Sequence, residues 1–202
     1  MEASDVISYG YTGTSIYFIE KDVIVFTYGN TLKFVYLKTG ATRNIVGNGK
    51  GISALTVNRR LNRIAYAEKG KDPKLHLLSY PDNKTIFTYE GKIVLRSPSN
   101  LLSGGASLEY SDICFSREGH RLAAISSLPE CKLLVWNSLN PKNAPIIQVP
   151  SVPTLSLTGR FITSFNPKNS NQLCVTGYGK ITFFKLDTNI EQYKVRYKLM
   201  RF

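Results

Sequence analysis

Ile52-Ser53-Ala54-Leu55-Thr56-Val57, a turn at Asn58-Arg59-Arg60, then Arg63-Ile64-Ala65-Tyr66-Ala67 open the stretch that decides the fold. A loop of Glu68-Lys69-Gly70-Lys71-Asp72-Pro73 follows, then Leu75-His76-Leu77-Leu78-Ser79-Tyr80 and Lys84-Thr85-Ile86-Phe87-Thr88-Tyr89. Short runs rich in Ile, Leu, Val, Phe and Tyr between turn residues read as strands. Helical spacing is nearly absent. The stretch predicts four strands in an antiparallel meander.

The unit recurs. Downstream stand Asp112-Ile113-Cys114-Phe115-Ser116, a turn at Arg117-Glu118-Gly119, Arg121-Leu122-Ala123-Ala124-Ile125, a loop through Pro129, and Lys132-Leu133-Leu134-Val135-Trp136-Asn137. A third copy holds Phe161 to Phe165, the turn Asn166-Pro167-Lys168, Gln172 to Thr176, the turn Gly177-Tyr178-Gly179 and Ile181 to Lys185. Upstream, Asp22 to Phe26 and Leu32 to Tyr36 match the same middle strands. Aligning third-strand ends at Tyr36, Tyr80, Trp136 and Lys185 gives intervals of 44, 56 and 49 residues. Four-stranded units of about 40–45 residues, lengthened by loops, are the mark of propeller blades. The expected fold is all-β: a WD-like propeller segment of about four four-stranded blades within 1–202, part of a larger ring. The expected blades are roughly 14–46, 52–90, 110–150 and 161–202, with a Gly- and Ser-rich inter-blade loop at about 93–108. A final strand is expected over 192–199.

The copies depart from the usual WD pattern. Trp136-Asn137 stands for Trp-Asp, other copies read Tyr36-Leu37, Tyr80-Pro81 and Lys185-Leu186, and no Gly-His pair precedes a first strand. The polar network of ordinary WD blades is therefore expected to be mostly missing. Apolar packing between neighbouring sheets has to hold the blades together.

Composition narrows the function. Apolar residues at 43% suffice for a core, and charged residues at 20% are too few for a disordered chain. No apolar window reaches the eighteen or so residues of a membrane helix, and Met1-Glu2-Ala3-Ser4-Asp5 lacks a signal peptide's basic flank. A soluble intracellular protein is the expectation. Cys114, Cys131 and Cys174, spaced by 17 and 43 residues, fit no zinc or redox pattern. Cysteines within apolar runs behave as small hydrophobes.

No P-loop, dinucleotide fingerprint, nucleophile elbow or paired-histidine metal motif is present, and acidic residues are scattered. His76 and His120 lie far apart in the repeat scheme. No catalytic residue, cofactor, metal or small-molecule substrate is expected. The net charge of +12 instead points to acidic company. First turns of the blades carry Arg59, Arg60, Arg63, Arg117, Arg121 and Lys168, and third turns add Lys38, Lys84 and Lys142. These turns emerge on one face, making those six first-turn residues the candidate protein-binding set. A solvated ring of hairpin tips is the plainer reading, since Lys50, Lys69, Lys71, Lys92, Arg96, Arg160 and Lys180 populate the other face.

Several motifs, in order along roughly residues 8–186, resemble the cilia- and flagella-associated WD-repeat proteins, members forty-three and forty-four, closer to the second. They are Ser8-Tyr9-Gly10-Tyr11, Gly49 to Leu55, Ala67-Glu68-Lys69-Gly70 with Pro73, and Ser79-Tyr80-Pro81. Leu128-Pro129-Glu130 before Leu134-Val135-Trp136-Asn137, and Ser164-Phe165-Asn166-Pro167 with Gln172-Leu173, complete the set. The resemblance implies a non-enzymatic axonemal scaffold of motile cilia and flagella, within cytoplasm and cytoskeleton. It implies tethering of inner-arm dynein heads to doublet microtubules and support of sperm flagella and cilium motility. Implied partners are the sister family member, inner-arm dynein and acidic tubulin surfaces. The family's chains are longer, with tandem propellers and coiled coil, so this chain reads as a fragment, isoform or truncated gene model. An RNA- or ribosome-associated scaffold is the alternative that positive charge also suits. It ranks lower because most aromatics fall in strands at core positions rather than beside exposed arginines. A phosphoinositide-binding propeller would need Phe-Arg-Arg-Gly, which Asn58-Arg59-Arg60-Leu61 does not supply.

Overall fold

The computed structural model describes residues 15–89, 109–127, 131–142, 145, 147–149, 160–177 and 180–185. Among them are fifteen strands in four antiparallel sheets and no helix. The first sheet holds β1 (Ile16–Glu20), β2 (Val23–Tyr28), β3 (Thr31–Tyr36) and β4 (Thr42–Val46). The second holds β5 (Gly51–Asn58), β6 (Arg63–Lys69), β7 (Leu75–Ser79) and β8 (Thr85–Tyr89). The third holds β9 (Tyr110–Phe115), β10 (Arg121–Ser126), β11 (Leu133–Asn137) and β12 (Ile147–Val149). The fourth holds β13 (Ile162–Asn166), β14 (Asn169–Gly177) and β15 (Lys180–Lys185). The expected loop at 93–108 and the expected strand at 192–199 lie outside the described residues.

Every sheet is a meander in sequence order, and first strands touch first strands from β1 to β5, β5 to β9 and β9 to β13. Sheets joined by their first strands fan out from those strands, which is the architecture of a propeller segment. In the second and third sheets, which have a sheet on either side, the middle strands are consequently buried on both faces, which explains their unbroken apolar sequences. In β6 and β7, Ile64, Tyr66 and Leu78 pack toward the first sheet with Val25, Leu32 and Phe34. The alternate residues Ala65, Ala67, Leu75 and Leu77 pack toward the third sheet with Ile113, Leu122 and Trp136. On the far side of the third sheet, Ala123, Ile125, Leu133 and Val135 meet Phe165, Leu173, Val175 and Phe184 of the fourth. Each fully buried Leu, Ile, Val or Phe contributes about 1.5–3 kcal/mol, against about 1 kcal/mol for a typical hydrogen bond. Apolar packing dominates each interface.

Backbone bonds fix a register that differs at two positions from the residue-type alignment. Leu37 N–H donates to Asp22 at 2.8 Å, Tyr80 to Asn62 at 2.8 Å and Ser138 to His120 at 2.9 Å, one equivalent bond in each of the first three sheets. The equivalent third-strand ends are therefore Tyr36, Ser79, Asn137 and Lys185, opposite Val23, Arg63, Arg121 and Gln172. Tyr80 sits one residue late and Trp136 one early. Matching aromatic to aromatic ignores the ladder, and one residue of slip exchanges the two faces of a strand. The counterpart of Trp136 is Leu78, each paired with the second residue of its neighbouring strand, Leu122 and Ile64.

Candidate interaction surface

The hydrogen bonds just described join first turns to third turns, so both emerge at one end of the sheets. The first turns lie beside the axis because they follow the innermost strands. All six arginines and lysines singled out from sequence lie in these turns or at their edges, in three successive sheets.

The structure divides the six. Arg59, Arg60, Arg117 and Lys168 are exposed. Arg63 and Arg121 are half-buried, at the start of β6 and β10. Arg63 Nη1 donates to the Ser138 carbonyl at 2.6 Å, and Arg121 Nη1 to the Ser170 carbonyl at 2.9 Å. Each guanidinium thus reaches one sheet ahead. Arg59 Nε donates backward to the Phe18 carbonyl in the first sheet. Arg43, not among the six, donates forward to the Pro81 and Asp82 carbonyls at 3.2 and 3.4 Å. A carbonyl is neutral, so these bonds orient the guanidinium groups without cancelling their charge. Glu118 is the sole acidic side chain within residues 59–63, 117–121 and 167–168.

Other polar links cross between sheets. Asn58 Nδ2 donates to the Ser116 and Arg117 carbonyls at 3.2 and 3.3 Å. Gly119, with φ of +79°, lets the third sheet's turn press on this point: a Cβ there would lie 2.6 Å from Leu61 Cδ1. Along the inner strands, Asp112 Oδ2 accepts from Thr163 N–H at 2.6 Å and from its hydroxyl at 2.9 Å. Burial raises the Asp112 pKa, while the Thr163 bonds and the Arg160 charge act against that rise. Ser111 Oγ meets Phe161 N–H at 2.9 Å, and Arg160 Nη2 reaches the Ser53 carbonyl at 3.3 Å. The sheets therefore carry a polar stitching of their own, where the WD-type network was expected to be mostly missing. Its signal in the sequence is faint: polar residues at the ends of otherwise apolar inner strands.

The opposite end has different furniture. Lys69 pairs with Glu109 at 3.1 Å, and Glu68 Oε1 accepts from Asn48 N–H at 2.8 Å while lying 3.3 Å from His76 Nε2. His76 Nδ1 lies 3.0 Å from Thr88 Oγ1, and its ring stacks on Tyr66 at 4.7 Å. His76 thereby helps fasten the link between the first two sheets; His120 is exposed. Among the described residues no group of three His, Cys, Asp or Glu side chains could hold a metal ion. A hollow of about 410 Å³ lies over the fourth sheet, lined by Phe165, Leu173, Cys174, Phe183 and Phe184 with the polar Ser164, Gln172 and Lys185.

No protein-family model matches the chain. The chain is similar to mouse cilia- and flagella-associated protein 44, with 25% identity over 199 residues, covering 96% of this chain and 10% of that protein. It is also similar to cilia- and flagella-associated protein 43 of mouse, with 22% identity over 95% of the chain. Protein 43 of Chlamydomonas reinhardtii shares 27% identity over 84% of the chain. The resemblance read from the ordered motifs thus extends through nearly all of the sequence. The chain spans about a tenth of the length of these curated relatives.

Proposed function

We propose that this chain serves in a cilium or flagellum as part of a non-enzymatic, protein-holding scaffold of the axoneme. The observation that carries the reading is the likeness to cilia- and flagella-associated proteins 43 and 44 along 95–96% of the chain in mouse. Its finer content is tethering of inner-arm dynein heads to doublet microtubules, in support of sperm flagellum assembly and cilium motility. The partners are then axonemal: the sister family member, inner-arm dynein and acidic tubulin surfaces. Arg59, Arg60, Arg63, Arg117, Arg121 and Lys168 are the proposed protein-binding residues. A non-enzymatic role accords with a core given over to sheet-on-sheet packing and with inner-strand polar groups engaged in bonds between sheets.

The RNA-associated alternative rests on charge alone. Among the described residues the exposed aromatics are Tyr28, Phe18 and Phe183, all in strands rather than in the basic turns. Sequence-tolerant binding of single strands draws much of its strength from stacking on such rings. Tagging the full-length protein at its own locus in ciliated cells tests the reading. Signal along the axoneme that survives detergent extraction is expected. A diffuse cytosolic or nucleolar signal would overturn it.

A further inference from the structure

We infer that the basic end of the sheets binds an acidic, extended polypeptide segment, with Arg60, Arg117 and Lys168 as the contacting charges. The inference deepens the scaffold reading and rests on it for the kind of partner. Exposed cations occupy corresponding first turns of three consecutive sheets, Arg59 with Arg60, then Arg117, then Lys168, so they follow an arc around the axis. Arg63 and Arg121 stand half-buried behind them, and with Arg59 they donate to backbone carbonyls of neighbouring sheets. Within these first turns Glu118 is the one acid against six cations, and their potential is strongest at the inner rim, where low-dielectric sheets flank it. Ion pairs lie outside these turns: Lys69 with Glu109 at the other end, and Lys38 with Asp22 at the first sheet of this end.

The arrangement favours a flexible carboxylate chain over a nucleic acid. Its charges are spaced turn by turn, and no Phe, Tyr or Trp lies in the turns that carry them; the exposed rings beside them are His120 and Phe18 of β1. A segment rich in Glu or Asp needs only successive carboxylates to meet successive cations, at modest affinity and with strong salt dependence. The oriented guanidinium groups supply the fixed part of the field. The exposed side chains supply the contacts.

Fluorescence anisotropy on the full-length protein tests this with a labelled ten-residue polyglutamate, the matching polyglutamine and a ten-nucleotide oligouridine. Polyglutamate binding that weakens with added salt is expected, with polyglutamine inert and oligouridine weaker. The triple variant Arg60→Gln, Arg117→Gln, Lys168→Gln, checked by circular dichroism for an unchanged fold, should weaken polyglutamate binding about tenfold or more. A control pair on the other end, Lys50→Gln with Lys71→Gln, should leave binding within about twofold. Equal losses in both variants would overturn the assignment to this end. Tighter oligouridine binding through the same three residues would overturn the partner class. A failure of either kind would leave the axonemal location to be judged by imaging alone, so the two readings fail separately.

Discussion

Arg63 holds Ser138: its guanidinium spans from the first residue of β6 to the third turn of the next sheet, with the donor 2.6 Å from the carbonyl. Arg121 stands at the corresponding place one sheet on and also reaches the next sheet, at the Ser170 carbonyl near the start of β14, at 2.9 Å. Two arginines that look like surface charge in the sequence are therefore ties between successive sheets. A charge-assisted hydrogen bond of this kind contributes about 1.5–3 kcal/mol. Arg63→Ala should lower stability by about that amount in urea melts, whereas Arg60→Ala should stay within about 0.5 kcal/mol. Equal effects would mean that the tie does not form.

Trp136 lies on the other side of the same interface. It is 4% exposed, pairs with Leu122 across the ladder and meets the Tyr89 ring of the second sheet at 4.7 Å. Removing a buried indole costs its transfer free energy plus a cavity. Trp136→Ala should therefore destabilise by about 3–5 kcal/mol. Since the ring fills the junction of two sheets, Trp136→Phe should recover part of the loss. An unchanged melting temperature for the alanine variant would place the ring outside the core.

Gly119 offers a test of how closely the turns pack. It has φ of +79°, and a Cβ would come within 2.6 Å of Leu61 Cδ1 and 2.8 Å of Asn58 Cγ. Gly40 has a similar φ of +67° with nothing within 4 Å of the same added atom. Gly40→Ala should thus cost only the left-handed backbone term, about 1–2 kcal/mol. Gly119→Ala adds overpacking of about 1–3 kcal/mol. The difference between the two melts reads the contact between second and third sheets, and equal costs would show that the turns can part.

The fold was legible because its cause is periodic. Both faces of the middle strands in the second and third sheets are buried, so Ile64 to Ala67 and Leu122 to Ile125 read as continuous apolar runs at matching places in the two units. The register was not, since it depends on which carbonyl Leu37, Tyr80 and Ser138 find, and nothing in residue type marks that choice. The candidate surface was legible as charge in turns. Its division was hidden, because Arg60 and Arg63 differ in role only through what lies across the interface. Arg63 has the Ser138 carbonyl within reach, 75 residues away in sequence, and Arg60 stands exposed. The links through Asp112 and Asn58 were invisible for the same reason: their partners come from the next unit.

Cys114 gives the interface between third and fourth sheets a signature in alkaline solution. Its side chain packs against the cluster of Val135, Phe165 and Leu173. Burial pushes its pKa from 9.0 up to about 12; the Thr163 hydroxyl opposes the rise and the nearby Asp112 charge adds to it. The unfolded chain releases this proton near the ordinary thiol value, while the folded chain retains it. Between those values the folded state binds more protons, so stability must fall as pH rises. The limiting slope is about 1.4 kcal/mol per pH unit for one such group. The contribution is fully present below the ordinary thiol value and is lost as pH rises toward the folded one. Tyr66 and Tyr80, also raised to about 12 chiefly by burial, join only above the ordinary tyrosine value of 10.0. Urea midpoints measured between the thiol and tyrosine values should therefore decline with pH in the parent chain and decline less in Cys114→Ala. The alanine change removes volume as well, which lowers stability by a similar amount at every pH and leaves the slope as the diagnostic. Parallel declines in the two proteins would show that the Cys114 thiol ionises as freely in the fold as outside it.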